Sequence, residues 1–172
     1  MKNLVFKLNQ DPAAALTSFF RYLLEEKIVD ALLLPQEVES RKSVVPTLVK
    51  DPRAITAPAP WTPVSLGNAA KHVSDLTFKN PEDKIGVVLR PCEIKALVEL
   101  VKLNQASLDQ LLIIGMDCLG TFHPVEYRKL IESGAYDPAQ WLGKAAAGEE
   151  LAAGETGIRH SCEICDAVTP DL

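Results

Sequence analysis

Residues 84–116 constrain the fold of this 172-residue chain more than any other stretch. Lys84-Ile85-Gly86-Val87-Val88-Leu89 is apolar without alternation, the pattern of a strand covered on both faces. Pro91 then opens a helix whose Ile94, Leu97, Val98 and Val101 fall on one stripe. Residues 110–116 repeat the unbroken apolar run. Strand, helix and strand within about thirty residues make a βαβ unit, whose two strands are parallel neighbours. The expected fold class is therefore α/β. It has a central, mainly parallel sheet with flanking helices, the βαβ unit at 84–116, and a cysteine-bearing C-terminal segment.

The remaining elements follow from local signals. Asp11-Pro12 supplies an N-cap and a first-turn proline, and Leu16, Phe19, Phe20, Leu23 and Leu24 share one helical face up to about Glu26. Residues 31–34 read as a buried strand, and 43–49 and 53–57 as further short strands separated by an Asp51-Pro52 turn. Prolines make 58–63 an extended loop. Its Trp61 is either core or ligand-facing. Ala69, Val73 and Leu76 set a helix at 68–76, residues 124–131 another, and 136–157 a weaker, surface-lying one. Two units are expected: an α/β core domain at 1–135, and a helical and loop segment at 136–172.

The chain has four cysteines, and this topology gives two of them a shared address. Cys92 comes just after the first strand of the unit and Cys118 just after the second. In a right-handed βαβ unit both strand ends lie on one sheet edge. With strands roughly 4.8 Å apart, the two thiols can approach one another where open α/β sheets bind ligands. Cys162 and Cys165 form a Cys-x-x-Cys near the end of the chain, free to fold back onto that edge. Taken singly, Cys92 or Cys118 reads as a small core residue. With all four used and none left over, a shared metal site is the better reading, as an iron–sulfur cluster or a zinc. The helix start at Pro91 offers free N–H groups that would favour a thiolate at Cys92, and Arg90 adds positive charge.

Composition narrows the class. A net charge of −5 argues against general affinity for nucleic acid or anionic membrane. No apolar run is long enough to cross a bilayer, and no signal peptide is evident. The expected location is cytoplasmic, where cysteines more often ligate metals or catalyse than form disulfides.

The residues Val87-Val88-Leu89-Arg90-Pro91-Cys92-Glu93-Ile94-Lys95-Ala96-Leu97, then Ile114-Gly115-Met116-Asp117-Cys118, then Cys162-Glu163-Ile164-Cys165-Asp166 resemble the coenzyme F420 hydrogenase/dehydrogenase beta-subunit family. Its pattern is a Pro-Cys turn with a following Ala/Gly-Leu, a Gly-x-x-Cys after the next strand, and a Cys-x-x-Cys-Asp. The resemblance implies an electron-transfer oxidoreductase subunit with one 4Fe-4S cluster held by Cys92, Cys118, Cys162 and Cys165. It further implies a flavin, as FAD, that exchanges hydride with a soluble acceptor such as F420 or a nicotinamide. Other redox subunits of a larger complex are the implied partners. Arg90, Lys95 and Trp61 are the candidates for the flavin or cluster vicinity. Family members continue well past the Cys-x-x-Cys-Asp, and the acidic Glu93 and Asp117 mark a subtype of the motif.

Two other readings stand beside this one. The four cysteines would equally hold a structural zinc in a non-catalytic docking module. Cys92 alone would serve a thiol enzyme as a nucleophile of low pKa. His72, His123 and His160 are too scattered to form a metal set. No Gly-x-Gly-x-x-Gly fingerprint or P-loop is present, so flavin binding rests on the resemblance.

Overall fold

Long unbroken apolar runs have to be covered from two sides, and the chain does this with helices. The computed structural model describes residues 11–38, 43–78, 83–149 and 157–170. Helix α1 (Pro12–Glu25) starts as expected, with the Asp11 carboxylate accepting from the Ala14 N–H and Pro12 in the first turn. Strand β1 (Ala31–Val38) runs into β2 (Ser43–Val49) as an antiparallel pair. Helix α2 (Ala69–Thr77) leads to β3 (Ile85–Leu89), α3 (Pro91–Lys102) and β4 (Leu111–Gly115). The sheet order is β2-β1-β3-β4. Both β1–β3 and β3–β4 are parallel, with Ile85 opposite Leu111 and Leu89 opposite Gly115. The α/β class and the βαβ unit are thus as the sequence implies.

Side-chain alternation sorts the core. Leu32, Leu34 and Val88 face α1, where they pack with Phe20, Leu23 and Leu24. Leu33, Ile85, Val87 and Leu89 face the other way, onto Val73 of α2 and Ile94 and Leu97 of α3. Burying side chains of this size is worth about 1.5–3 kcal/mol each, so these two layers dominate the stability. A third cluster lies beyond the strand ends. There α4 (Pro124–Glu132) and α5 (Pro138–Ala147) bring Tyr127, Leu130 and Trp141 against Val64 and Phe122. Trp141 is only 4% exposed, so the expected surface-lying helix is anchored to this cluster through that side chain while most of its described residues stay exposed or half-buried.

Three further details depart from expectation. Residues 53–57 are not a strand. Pro52–Ala54 form a 3-10 turn, because Asp51 accepts from the Arg53 N–H at 2.9 Å and Pro52 sets the first turn angle. Val98 is largely outside the buried stripe of α3, which narrows to Ile94 and Leu97. Strand β4 is half-covered along its length because it is a sheet edge. Opposite one another in β1 and β2 stand Pro35 and Pro46. The Pro35 carbonyl accepts from the Ala59 N–H at 2.9 Å, on the side of β1 away from β2. The pair is therefore one whose backbone groups point outward, and neither proline removes a bond between these strands.

Candidate metal centre

Strands β3 and β4 end on one edge of the sheet, and a cysteine follows each. Cys92 is the second residue of α3, in a first turn whose N–H groups lack helical acceptors. Beside it the buried Glu93 carboxylate accepts from its own N-cap, the Arg90 N–H, at 2.9 Å, and from the Ala69 N–H at 3.1 Å. One carboxylate thereby joins the first turns of α3 and α2. Cys118 follows β4, and its N–H donates to the Val168 carbonyl at 2.8 Å. That bond carries the C-terminal segment back across the edge. Lys95 and Asp166 add an exposed ion pair at 3.8 Å, which contributes little.

Stronger ties come from two arginines. The Arg159 N–H donates to the Thr121 carbonyl at 2.8 Å. Its guanidinium donates to the carbonyls of Phe122 at 3.1 Å and Ser65 at 2.8 Å. Arg90, buried at the start of α3, donates from Nη2 to the carbonyls of Thr62 at 3.0 Å and Val64 at 3.1 Å. Residues 62–65 are therefore held by two guanidinium groups, through charge-assisted bonds. The Phe122 N–H completes the seam by donating to the Pro63 carbonyl at 2.8 Å. Beyond Arg159, the short helix α6 (His160–Glu163) and the turn after it carry Cys162 and Cys165.

The sulfur atoms sit among donors. The Thr121 hydroxyl lies 3.4 Å from Cys162 Sγ, and the backbone N–H of Gly120 donates to Cys118. Gly120 has a φ of +80°, and a Cβ there would lie 2.9 Å from Cδ1 of Ile158, so the turn needs glycine. Cys165 Sγ is 3.6 Å from the Ala167 carbonyl. The four thiols sense one another: Cys118 and Cys165 act on Cys92, and Cys162 and Cys165 act on Cys118.

The thiol at Cys92 is pushed up, opposite to the expectation of a thiolate favoured by the helix start. Its side chain reaches solvent, but the packed protein beneath it desolvates the sulfur, and the adjacent Glu93 charge adds to this. Arg90 offsets the rise only in part. Burial likewise pushes Cys118 up, against the Gly120 N–H and Arg90, which lower it. A nucleophile of low pKa is not what this site makes of Cys92; such thiols ionise when a metal displaces the proton. Among the described residues no three His, Cys, Asp or Glu side chains converge tightly enough to hold a metal ion. The thiols share an edge rather than a closed coordination shell. Their chemistry suits a thiolate-bound centre: four sulfurs, a backbone N–H at one, a hydroxyl within reach of another, and one cation acting on two.

The other candidates divide. Arg90 stands at the junction of the cysteine edge and a cleft lined by Leu34, Pro60, Val64, Leu66 and Met116. Lys95 faces away from that cleft, into an open groove with Pro91, Ile94, Asp166 and Pro170. Trp61 is half-buried in the proline-rich loop, whose Pro60 lines the cleft. His160 is exposed and pairs with Glu163 at 3.2 Å. His72 and His123 are exposed. Sequence reasoning missed Gly120, Thr121 and Arg159. Gly120, two residues after Cys118, was the one local signal. A threonine and an arginine of this kind are recognisable only when the tail is seen folded back.

Comparison with known proteins gives the architecture its kinship. Residues 82–172 match the family described as the C terminus of the coenzyme F420 hydrogenase/dehydrogenase beta subunit. The F420-dependent formate dehydrogenase subunit beta of Methanocaldococcus jannaschii is 30% identical over 177 residues, covering 92% of this chain and 46% of that protein. The F420-dependent formate dehydrogenase 1 subunit beta of Methanococcus maripaludis is 31% identical over 121 residues, covering 69% of this chain and 30% of that one. A chain in the xenon-derivatised F420-reducing NiFe hydrogenase complex of Methanosarcina barkeri has the same fold. Its TM-score is 0.54 at 19% identity, over 73% of this chain and 44% of its own. The chain thus spans less than half the length of these relatives. With the matched region running from the start of the βαβ unit through the Cys-x-x-Cys, the chain belongs to the coenzyme F420 hydrogenase/dehydrogenase beta-subunit family.

Proposed function

We propose that this chain is an electron-transfer part of an oxidoreductase, holding one 4Fe-4S cluster through Cys92, Cys118, Cys162 and Cys165. The observation that supports the reading is that Cys92 and Cys118 follow adjacent parallel strands ending on one sheet edge, and that the Cys118–Val168 bond and the Thr121–Cys162 contact bring the Cys-x-x-Cys segment back toward it. A cluster bound there would supply one-electron transfer. The chain's own contribution would be to present the four sulfurs, offset part of the cost of ionising Cys92 and Cys118 through Arg90 and of Cys118 through Gly120, and seat the tail through Arg159.

The reading extends to partners. The relatives' names describe F420-dependent formate dehydrogenase subunits and an F420-reducing hydrogenase complex. By kinship, electrons pass between a partner redox subunit and a hydride acceptor of the F420 or nicotinamide type, through a flavin. FAD is the flavin that kinship implies; Arg90 and the loop of Trp61 border one cleft and Lys95 lines an open groove beside the tail, and these three remain the candidates for its vicinity. Among the described residues no helix is long and apolar enough to cross a membrane. A cytoplasmic location rests on the use of the cysteines as ligands rather than in disulfides.

The test is metal and sulfide analysis on anaerobically purified protein, with visible and EPR spectra. Brown protein with equal iron and labile sulfide, lost on Cys118→Ser, is expected. Colourless protein with one zinc would replace this reading with that of a structural zinc module.

A further inference from the structure

The segment between Cys118 and Phe122 does more than connect. Gly120 donates its N–H to Cys118, and the next residue, Thr121, places its hydroxyl 3.4 Å from Cys162 Sγ. Thr121 is 5% exposed, so its hydroxyl needs a protein partner, and the Cys162 sulfur is within reach. Its carbonyl meanwhile accepts the Arg159 N–H at 2.8 Å, which fixes the tail relative to that hydroxyl. A metal-bound cysteine sulfur carries no proton. In such a pair the Thr121 hydroxyl must be the donor and the sulfur the acceptor.

The geometry points to Thr121 as a positioning residue that sets the reduction potential of the centre through its hydrogen bond to Cys162. This rests on the iron–sulfur reading above. Reduction adds negative charge, part of which falls on the ligand sulfurs. A donor aimed at sulfur therefore stabilises the reduced state more than the oxidised one. The Gly120 N–H does the same at Cys118, but proline, the substitution that removes an N–H, cannot adopt the φ of +80° found there. Thr121 is the member of the pair that can be tested. Valine matches threonine in shape and lacks the hydroxyl, whereas serine keeps it.

The experiment is an EPR-monitored dithionite titration of the full chain, anaerobic, as wild type, Thr121→Val and Thr121→Ser, with iron and sulfide assayed on each. All three should hold the same iron and sulfide. The midpoint of Thr121→Val should move to more negative potential by about a tenfold change in the one-electron equilibrium, about 59 mV. Thr121→Ser should stay at the wild-type value. A Thr121→Val midpoint equal to wild type, with full iron, would overturn the inference and leave the cluster reading intact. Wild-type protein without iron and sulfide would overturn both, and is seen before any variant is titrated. If Thr121→Val fails to load, Thr121→Ala against Thr121→Ser makes the same comparison. Loss of iron from both hydroxyl-free variants would count against tuning, in favour of a holding role. Loss from Thr121→Ser would overturn the inference as well.

Discussion

Arg159 shows how much of the site depends on one side chain outside the cysteine set. It holds the tail through its own N–H and reaches two carbonyls on different loops with a single planar guanidinium. Lysine has no such fork, so Arg159→Lys should behave much like Arg159→Gln. Each should cost about 2 kcal/mol, read as a lower Tm, and should deplete bound iron. Retention of wild-type iron in Arg159→Gln would show that the tail is held by other means. The thiols supply a pH prediction. In the metal-free chain the folded state raises the Cys92 and Cys118 thiols above the ordinary value of 9.0. The folded chain then binds these protons more tightly than the unfolded one. That extra stability is complete below the ordinary value and is lost as pH climbs through the raised one. Tyr127, raised from 10.0 to about 12 by burial, and Tyr136, raised further, act with the same sign at higher pH. The Tm of the metal-free chain should be flat between about pH 7 and about pH 8 and fall increasingly above the thiol range. A Tm that rises through that range would contradict the assignment.

At the scale of elements, α3 carries both structure and site. Its Leu97 is wholly buried between the helix and the sheet, while Cys92 at its start faces the edge. Leu97→Ala should cost about 2–5 kcal/mol by denaturant unfolding. If α3 is docked chiefly by that stripe, iron binding should weaken with it. A loss below about 1 kcal/mol would mean the helix is held from its first turn, where Glu93 and Arg90 anchor it. The elements were legible where one signal dominated. Unbroken apolar runs placed β3 and β4, Asp11-Pro12 and Pro91 placed two helix starts, and apolar spacing placed α2. They were misread where local chemistry overrode the run. At Asp51-Pro52-Arg53 a side-chain hydrogen bond turns the backbone out of the extended form. At Trp141 long-range packing anchors a surface helix by one side chain, a contact its own pattern does not show.

At the scale of the molecule, the sheet and the tail are separable. Residues 157–170 add nothing to the two clusters on the sheet faces and only Ile158 to the third. A chain ending at residue 149 should keep its far-UV CD and a cooperative transition, yet bind no iron. Full iron in that variant would remove Cys162 and Cys165 from the ligand set. The cysteine edge was legible because topology alone sends two strand ends the same way. The hydroxyl, the glycine turn and the arginine grip were not, because they exist only across segments some forty residues or more apart.

The proline pair of the β1–β2 hairpin has a consequence for growth. Because the backbone groups of Pro46 point outward, β2 offers an incoming strand an edge that lacks a donor in mid-length. At the opposite margin β4 carries no proline. Its Leu111 and Ile113 on one face, and Leu112 and Ile114 on the other, are each only half covered. The sheet is thus directional: capped at one margin, and unfinished in both backbone and side chains at the other. Among the described residues, the margin with fewer obstacles to a further strand is therefore the one beside β4, next to Cys118.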